Sequence, residues 1–156
     1  FGGQLLAHVA SEEGKVCVEK MNGNNASVNY DAVPSCVFSF PEIATVGMTE
    51  EQAKEKNPDY LVGKSIFAAN GKAITSGETD GFIKVIADRS THRILGVHII
   101  GPHASDLIPE GTLAIQQELT IEQIGETIHA HPTLAEAFWE AVMDAKREAI
   151  HILPHK

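Results

Sequence analysis

Two apolar runs rich in β-branched residues dominate the middle of the chain. Gly81-Phe82-Ile83-Lys84-Val85-Ile86 and Ile94-Leu95-Gly96-Val97-His98-Ile99-Ile100 flank the polar stretch Asp88-Arg89-Ser90-Thr91-His92. This pattern predicts a β-hairpin with a loop of about five residues. Further strand candidates are Cys36-Val37-Phe38-Ser39-Phe40 and Ile43-Ala44-Thr45-Val46, on either side of Pro41, and residues 60–69. Pro41 cannot donate to a sheet ladder, so it belongs at an edge or a corner. The last third has helical periodicity instead. Strands followed by helices, without regular βα alternation, predict an α+β fold: a largely antiparallel β-sheet with helices packed on it.

The helical segments carry recognisable ends. In residues 5–21, Leu6, Ala10, Cys17 and Met21 share one face and Asn22-Gly23 is a stop, which favours a single helix. The alternative ends a short helix at Gly14 and starts a strand at Lys15-Val16-Cys17-Val18. Gly23-Asn24-Asn25 marks a turn. Thr49 with Gln52, and Thr120 with Gln123, have capping-box spacing. The first should open a short polar helix that stops before Asn57-Pro58. Ser105 or Asp106 can cap a helix carrying Leu107, Ile108, Ala114, Ile115 and Leu119, with Pro109 near its first turn. Pro132 suits the first position of a final helix over residues 132–149, with the stripe Leu134, Phe138, Ala141, Val142 and Ala145. Glu136, Glu140, Asp144 and Glu148 recur every fourth residue on it. The expectation is a solvated acidic face, with Glu136 turned to a histidine or another subunit as the alternative.

Composition narrows the function classes. The 156 residues hold 12 Lys+Arg against 21 Asp+Glu, a formal charge of −9, which opposes a phosphate-binding surface for nucleic acid. At 43% hydrophobic residues the chain has enough apolar surface for a core. No apolar run approaches the ~20 residues of a membrane span. Cys17 and Cys36 match neither a disulfide scaffold nor a metal spacing, and are expected to be buried free thiols. The start, Phe1-Gly2-Gly3-Gln4-Leu5-Leu6, has no initiator methionine and no signal-peptide pattern, which suggests a piece of a longer protein.

The densest chemistry lies in His129-Ala130-His131-Pro132-Thr133-Leu134-Ala135-Glu136. With Pro132 at a helix start, the Glu136 carboxylate can fold back to His131. A carboxylate on one ring nitrogen fixes the tautomer and leaves the other nitrogen as a general base. A packing or capping histidine is the plainer reading. A metal pair of His129 and His131 is a rival, but it needs a third ligand from His98, His103 or Glu136 at no diagnostic spacing.

Ile128-His129-Ala130-His131-Pro132-Thr133-Leu134-Ala135-Glu136-Ala137-Phe138 closely resembles the C-terminal motif of dihydrolipoamide dehydrogenases, within the flavin- and pyridine-nucleotide-dependent disulfide reductases. Pro34-Ser35, Phe40-Pro41-Glu42-Ile43-Ala44-Thr45-Val46-Gly47, Thr79-Asp80-Gly81-Phe82-Ile83-Lys84, residues 94–102 and Ala114-Ile115 resemble the interface domain of that family, in family order. Leu5-Leu6-Ala7-His8-Val9-Ala10-Ser11-Glu12-Glu13-Gly14 resembles its last flavin-domain helix. The GxGxxG loops and the redox cysteine pair of the family do not occur in this sequence.

The resemblance implies residues 1–30 as the C-terminal tail of an FAD-binding domain and residues 31–156 as a dimerisation domain. It implies a homodimeric parent that oxidises dihydrolipoamide with FAD and NAD. His131 would act as base and Glu136 would orient it, both serving the partner subunit's active site. Leu5, Leu6, Ala7 and His8 would lie along the flavin edge, and His129 would line the substrate channel. In relatives the peptide bonds before the prolines matching Pro41 and Pro132 are commonly cis, which leaves their state in this chain open. No metal is implied, and this chain by itself is expected to hold neither FAD nor NAD. The parent's substrate would be dihydrolipoamide carried by acyltransferase subunits of 2-oxo acid dehydrogenase complexes, in a bacterial cytoplasm or the mitochondrial matrix. A glutathione- or mercury-type relative and a stand-alone dimerising or metal-binding module are the alternatives.

Overall fold

The computed structural model describes residues 4–56 and 59–152. Helix α1 (Ala7–Met21) precedes strands β1 (Ser35–Val37) and β2 (Glu42–Gly47), helix α2 (Glu50–Lys56) and strand β3 (Tyr60–Ile66). Helix α3 (Gly71–Ser76), strands β4 (Phe82–Asp88) and β5 (Ile94–Gly101), and helices α4 (Ala104–Gln116), α5 (Ile121–Gly125) and α6 (Ala135–Asp144) follow. The strands form one antiparallel sheet in the order β1-β2-β5-β4-β3. The expected α+β class and its antiparallel sheet are present.

The register explains the core. Ala44 and Val46 on β2 stand opposite Ile99 and Val97 on β5, which stand opposite Ile83 and Val85 on β4. These six residues are fully buried or nearly so and share one face of the sheet, because strand side chains alternate. Ser65 and Gly63 on β3 continue the same face. Helix α4 lies over Val97: a Cβ on Gly111 would meet the Val97 methyl groups at 2.8 Å. Helix α6 lies over Gly63, where any Cβ would strike the Ala141 carbonyl. Both long helices therefore cover one face and close a single cluster with Phe67, Ile108, Phe138 and Val142. The opposite face carries α2, tied down by the Lys84 Nζ–Glu50 ion pair at 2.8 Å and by His98 Nε2 on the Met48 carbonyl at 2.8 Å. No residue of α1 belongs to the core cluster among the described residues; Val9 alone in that helix is buried.

Several local expectations are met. Residues 5–21 form one helix from Ala7 with Gly14 inside it, not a helix followed by a strand. The hairpin loop is residues 89–93, held by the Asp88 carboxylate, which accepts from the backbone and hydroxyl groups of Ser90 and Thr91. Those bonds, the Ser90 hydroxyl first, hold Asp88 at a pKa of about 2. Both capping boxes form, at Thr49 and Thr120. The bonds before Pro41 and Pro132 are cis. The expected stop at Asn57-Pro58 lies outside the described residues.

Other expectations are corrected. The strand expected over Cys36–Phe40 ends at Val37, because the chain turns at residues 38–41 so that Cys36 can pair with Ala44. The strand expected to reach Ala69 stops at Ile66. Phe67–Ala69 is a turn of 3-10 helix, and Asn70 then caps the unforeseen α3 by accepting from the Ala73 N–H. Neither Ser105 nor Asp106 caps α4, which begins at Ala104. Instead the Glu42 carboxylate on β2 accepts from the Ser105 N–H and hydroxyl, at 2.9 and 2.7 Å. Pro109 thus falls in the second turn, where its ring removes the bond to the Ser105 carbonyl. The last helix starts at Ala135 rather than Pro132 and ends at Asp144, with Arg147 left-handed just beyond. Cys17 and Cys36 are free thiols, as expected, but only half-buried.

The acidic row is not a solvated face. Glu140 and Asp144 are 5% and 4% exposed, and each accepts from backbone N–H groups. A buried carboxylate is tolerable only with such donors. Asp144 accepts from Lys64 on β3, so it stitches α6 to the sheet edge.

Candidate active site

The loop between α5 and α6 presents His131. Trp139 Nε1 bonds the Gly125 carbonyl at 3.0 Å, and the Thr133 hydroxyl bonds the Ala130 carbonyl at 2.7 Å, fixing both ends of the loop. Asn70 reaches across from the α3 cap, its side-chain N–H donating to the Thr133 carbonyl at 3.0 Å. Glu136, in the first turn of α6, accepts from His131 Nδ1 at 2.8 Å on one oxygen and from the Thr133 N–H at 2.8 Å on the other. Burial alone would push the Glu136 carboxyl up, but the Thr133 N–H, His131 and the more distant His151 together hold it below the ordinary carboxylate range.

The geometry assigns the tautomer. A carboxylate oxygen can only accept, so Nδ1 carries the hydrogen and Nε2 presents a lone pair. The imidazole is 76% exposed and the carboxylate 26%. The pair therefore points a basic nitrogen outward on a half-buried anionic foot, suited to removing a proton from a group docked on this surface. A cavity of about 240 Å³ adjoins it, lined in part by Ser65, Asn70, His131, Glu136, Glu140 and His151.

The other singled-out residues go elsewhere. His129 is 8% exposed; its Nε2 faces the Glu110 carboxylate at 2.8 Å and its Nδ1 the Thr127 carbonyl at 2.9 Å. With both nitrogens engaged, it anchors the loop to α4 and shares no site with His131. His98 sits under α2 and His103 starts α4, so the rival metal set does not converge. Among the described residues no group of three or more His, Cys, Asp and Glu is placed to hold a metal. Leu5 is fully exposed, Leu6 half-buried, and Ala7 opens α1. His8 Nε2 bonds the Pro34 carbonyl at 2.8 Å, beside β1. That is one edge of the sheet, while the His131 cavity borders β3 at the other. The fold thus separates Leu5–His8 from His131–Glu136.

Asn70, Glu140 and His151 were not foreseen around the site. Asn70 had a signal, since Asn before Gly-Lys with Gly77 seven residues on is a short capped helix. His151 had none, because its partner is fixed only by tertiary folding.

The chain belongs to the family described as "Pyridine nucleotide-disulphide oxidoreductase, dimerisation domain", whose sequence model matches residues 33–142. Among curated relatives, the dihydrolipoyl dehydrogenase of Bacillus subtilis is 50% identical over 152 residues, 97% of this chain and 32% of the relative. The mitochondrial dihydrolipoyl dehydrogenase of Sus scrofa is 48% identical over 143 residues, 92% of this chain and 28% of the relative. Among solved structures, LpdA from Mycobacterium tuberculosis superposes with a TM-score of 0.85 at 28% identity, covering 90% of this chain and 31% of that one. The HOCl-induced flavoprotein disulfide reductase RclA from Escherichia coli gives 0.80 at 26% identity, covering 90% and 33%. The chain spans about a third of the length of each of these proteins.

Proposed function

We propose that this chain is the dimerisation module of a dihydrolipoamide dehydrogenase, and that its His131–Glu136 pair is the general base lent to the partner subunit's active site. The 2.8 Å Nδ1–carboxylate bond carries this reading, because it leaves Nε2 free to take a proton. Residues 1–30 are the tail of the FAD-binding domain and residues 31–156 the dimerisation domain. The absence of α1 from the core cluster supports that division.

The proton step follows from thiol chemistry. A dithiol near pKa 8.5 is mostly protonated at neutral pH, and only its thiolate attacks a disulfide. His131 Nε2 takes the proton, and the Glu136 carboxylate stabilises the imidazolium that forms. The dihydrolipoamide thiolate then displaces one sulfur of the partner subunit's cysteine disulfide, and the second substrate thiol closes the lipoamide ring. The substrate is oxidised and the cysteine pair reduced.

FAD supplies the electron-pair acceptance that passes reducing equivalents to NAD in such a parent. A dinucleotide needs glycines that let its pyrophosphate approach a helix start, and this sequence holds no GxGxxG loop. The exposed Leu5 and the start of α1 fit an edge contact at most, so Leu5, Leu6, Ala7 and His8 would touch the flavin without holding it. Neither cofactor is held by this chain alone.

The homodimer is supported by uncovered apolar side chains. Phe38, Phe40 (93% exposed) and Ile128 are large apolar side chains left uncovered in the single chain and available to a partner subunit. Separation of Leu5–His8 from His131 across the sheet supports service in trans. The acyltransferase subunits of 2-oxo acid dehydrogenase complexes would bring the substrate. Bacterial and mitochondrial relatives support a bacterial cytoplasm or the mitochondrial matrix. No helix among the described residues is long and apolar enough to cross a membrane.

The test is His131→Gln in the full-length polypeptide. Dihydrolipoamide oxidation should fall by about 10²–10⁴-fold, the usual worth of a general base, with flavin absorbance intact. A variant as fast as wild type would remove the mechanism.

A further inference from the structure

The cavity beside His131 has a wall that the base chemistry does not use. Glu140 lies one turn beyond Glu136 on α6 and is 5% exposed. Every donor to its carboxylate comes from the segment that follows the helix. One oxygen accepts from the N–H groups of Ile150 and His151, both at 3.1 Å, and the other from His151 Nδ1 at 2.7 Å. A buried carboxylate stripped of donors is costly, so the three bonds act in both directions. They satisfy Glu140, and they fold the chain beyond α6 back over the helix. His151 and Ile152 thereby line the same cavity as His131 and Glu136.

We propose that Glu140 is a positioning residue for the His131–Glu136 pair: it clamps residues 150–152 as a wall of the cavity and sets the His151 imidazole beside Glu136. This inference rests on the reading of His131 as the base. The ionisable groups lining the cavity are His131, Glu136, Glu140 and His151. The β3 strand and the Asn70–α3 segment face it with Ser65, Asn70 and small or apolar residues, none of them ionisable. His151 is therefore the neighbour through which Glu140 can act on the His131–Glu136 pair. In keeping with this, His151 is among the groups that draw the Glu136 carboxyl downward.

The experiment uses the full-length flavoenzyme that carries this chain, with two readouts. In Glu140→Ala, amide exchange at Ile150 and His151 should accelerate at least about tenfold, as local opening of a freed segment requires. In the same variant kcat should fall with little change in KM, and the acid limb of the kcat–pH profile should move, because the Glu140 anion and the fixed place of His151 are lost together. In His151→Gln the two backbone bonds to Glu140 remain. Its amide exchange should match wild type while the acid limb still moves, so a folding defect in the first variant does not decide the matter. Unchanged exchange in Glu140→Ala, or pH profiles of both variants superimposable on wild type, overturns the proposal. A wild-type rate for His131→Gln would instead fail the underlying base assignment, and the exchange data would still decide the clamp.

Discussion

At the scale of single residues, chemistry is concentrated where a carboxylate finds a donor. Glu136 meets His131 five positions back and Thr133 three positions back, so a short stretch of chain builds the pair almost alone. That locality made it legible as a motif. Glu140 and Asp144 occupy equivalent places on the same helix, yet their donors come from a segment beyond the helix and from Lys64 on a distant strand. Spacing on one helix cannot reveal partners of that kind, and a solvated face was the natural expectation. The residue-scale prediction concerns Glu136→Gln. The amide oxygen can still accept from His131 Nδ1–H, but the amide nitrogen cannot accept from the Thr133 N–H, and the charge that stabilises the imidazolium is gone. Exchanging a charge-assisted bond for a neutral one costs roughly 1.5 kcal/mol, or about tenfold in rate. Dihydrolipoamide oxidation by this variant should fall between wild type and His131→Gln. Stopped-flow reduction of the flavin by dihydrolipoamide measures it.

At the scale of elements, turn and cap chemistry was readable and tertiary intrusion was not. The hairpin and both capping boxes follow from side chains within a few residues of one another. The starts of α4 and α6 do not. Glu42 on β2 accepts from the start of α4, and α6 begins only at Ala135, where Glu136 folds back onto the Thr133 N–H. The contact of α6 with β3 explains why Gly63 stands in a strand at all. Its Cα hydrogen faces the backbone of Ala141 and Ala145, and no Cβ can be placed there without moving the helix. Gly63→Ala should therefore destabilise the protein by roughly 1–3 kcal/mol, the usual cost of overpacking. Because α6 carries Glu136, the same variant should lower activity as well as the midpoint of urea unfolding. A Gly63→Ala protein with an unchanged midpoint would show that α6 does not press on β3 as described.

At the scale of the whole molecule, the sheet sets the Leu5–His8 segment and the His131–Glu136 pair at opposite edges. The Leu5–His8 segment lies by β1, and the His131 cavity lies by β3. On the proposed reading, the base at one edge serves the flavin site of the partner subunit, which would make dimerisation and catalysis a single property. Strand-then-helix order made the α+β class legible from the sequence. The separation of the two edges was not legible, because it depends on the crossover that sets β5 between β2 and β4. The most direct measurement mixes two inactive full-length variants. One carries His131→Gln; the other has the attacked redox cysteine replaced by serine. After dissociation and reassembly, half the dimers are hybrids, and each hybrid holds one site with both an intact disulfide and an intact His131. The account predicts recovery of about a quarter of wild-type dihydrolipoamide oxidation from two inactive parents, as random two-fold pairing requires. No recovery in hybrids shown to have formed would mean that the base serves its own subunit, and would contradict the account.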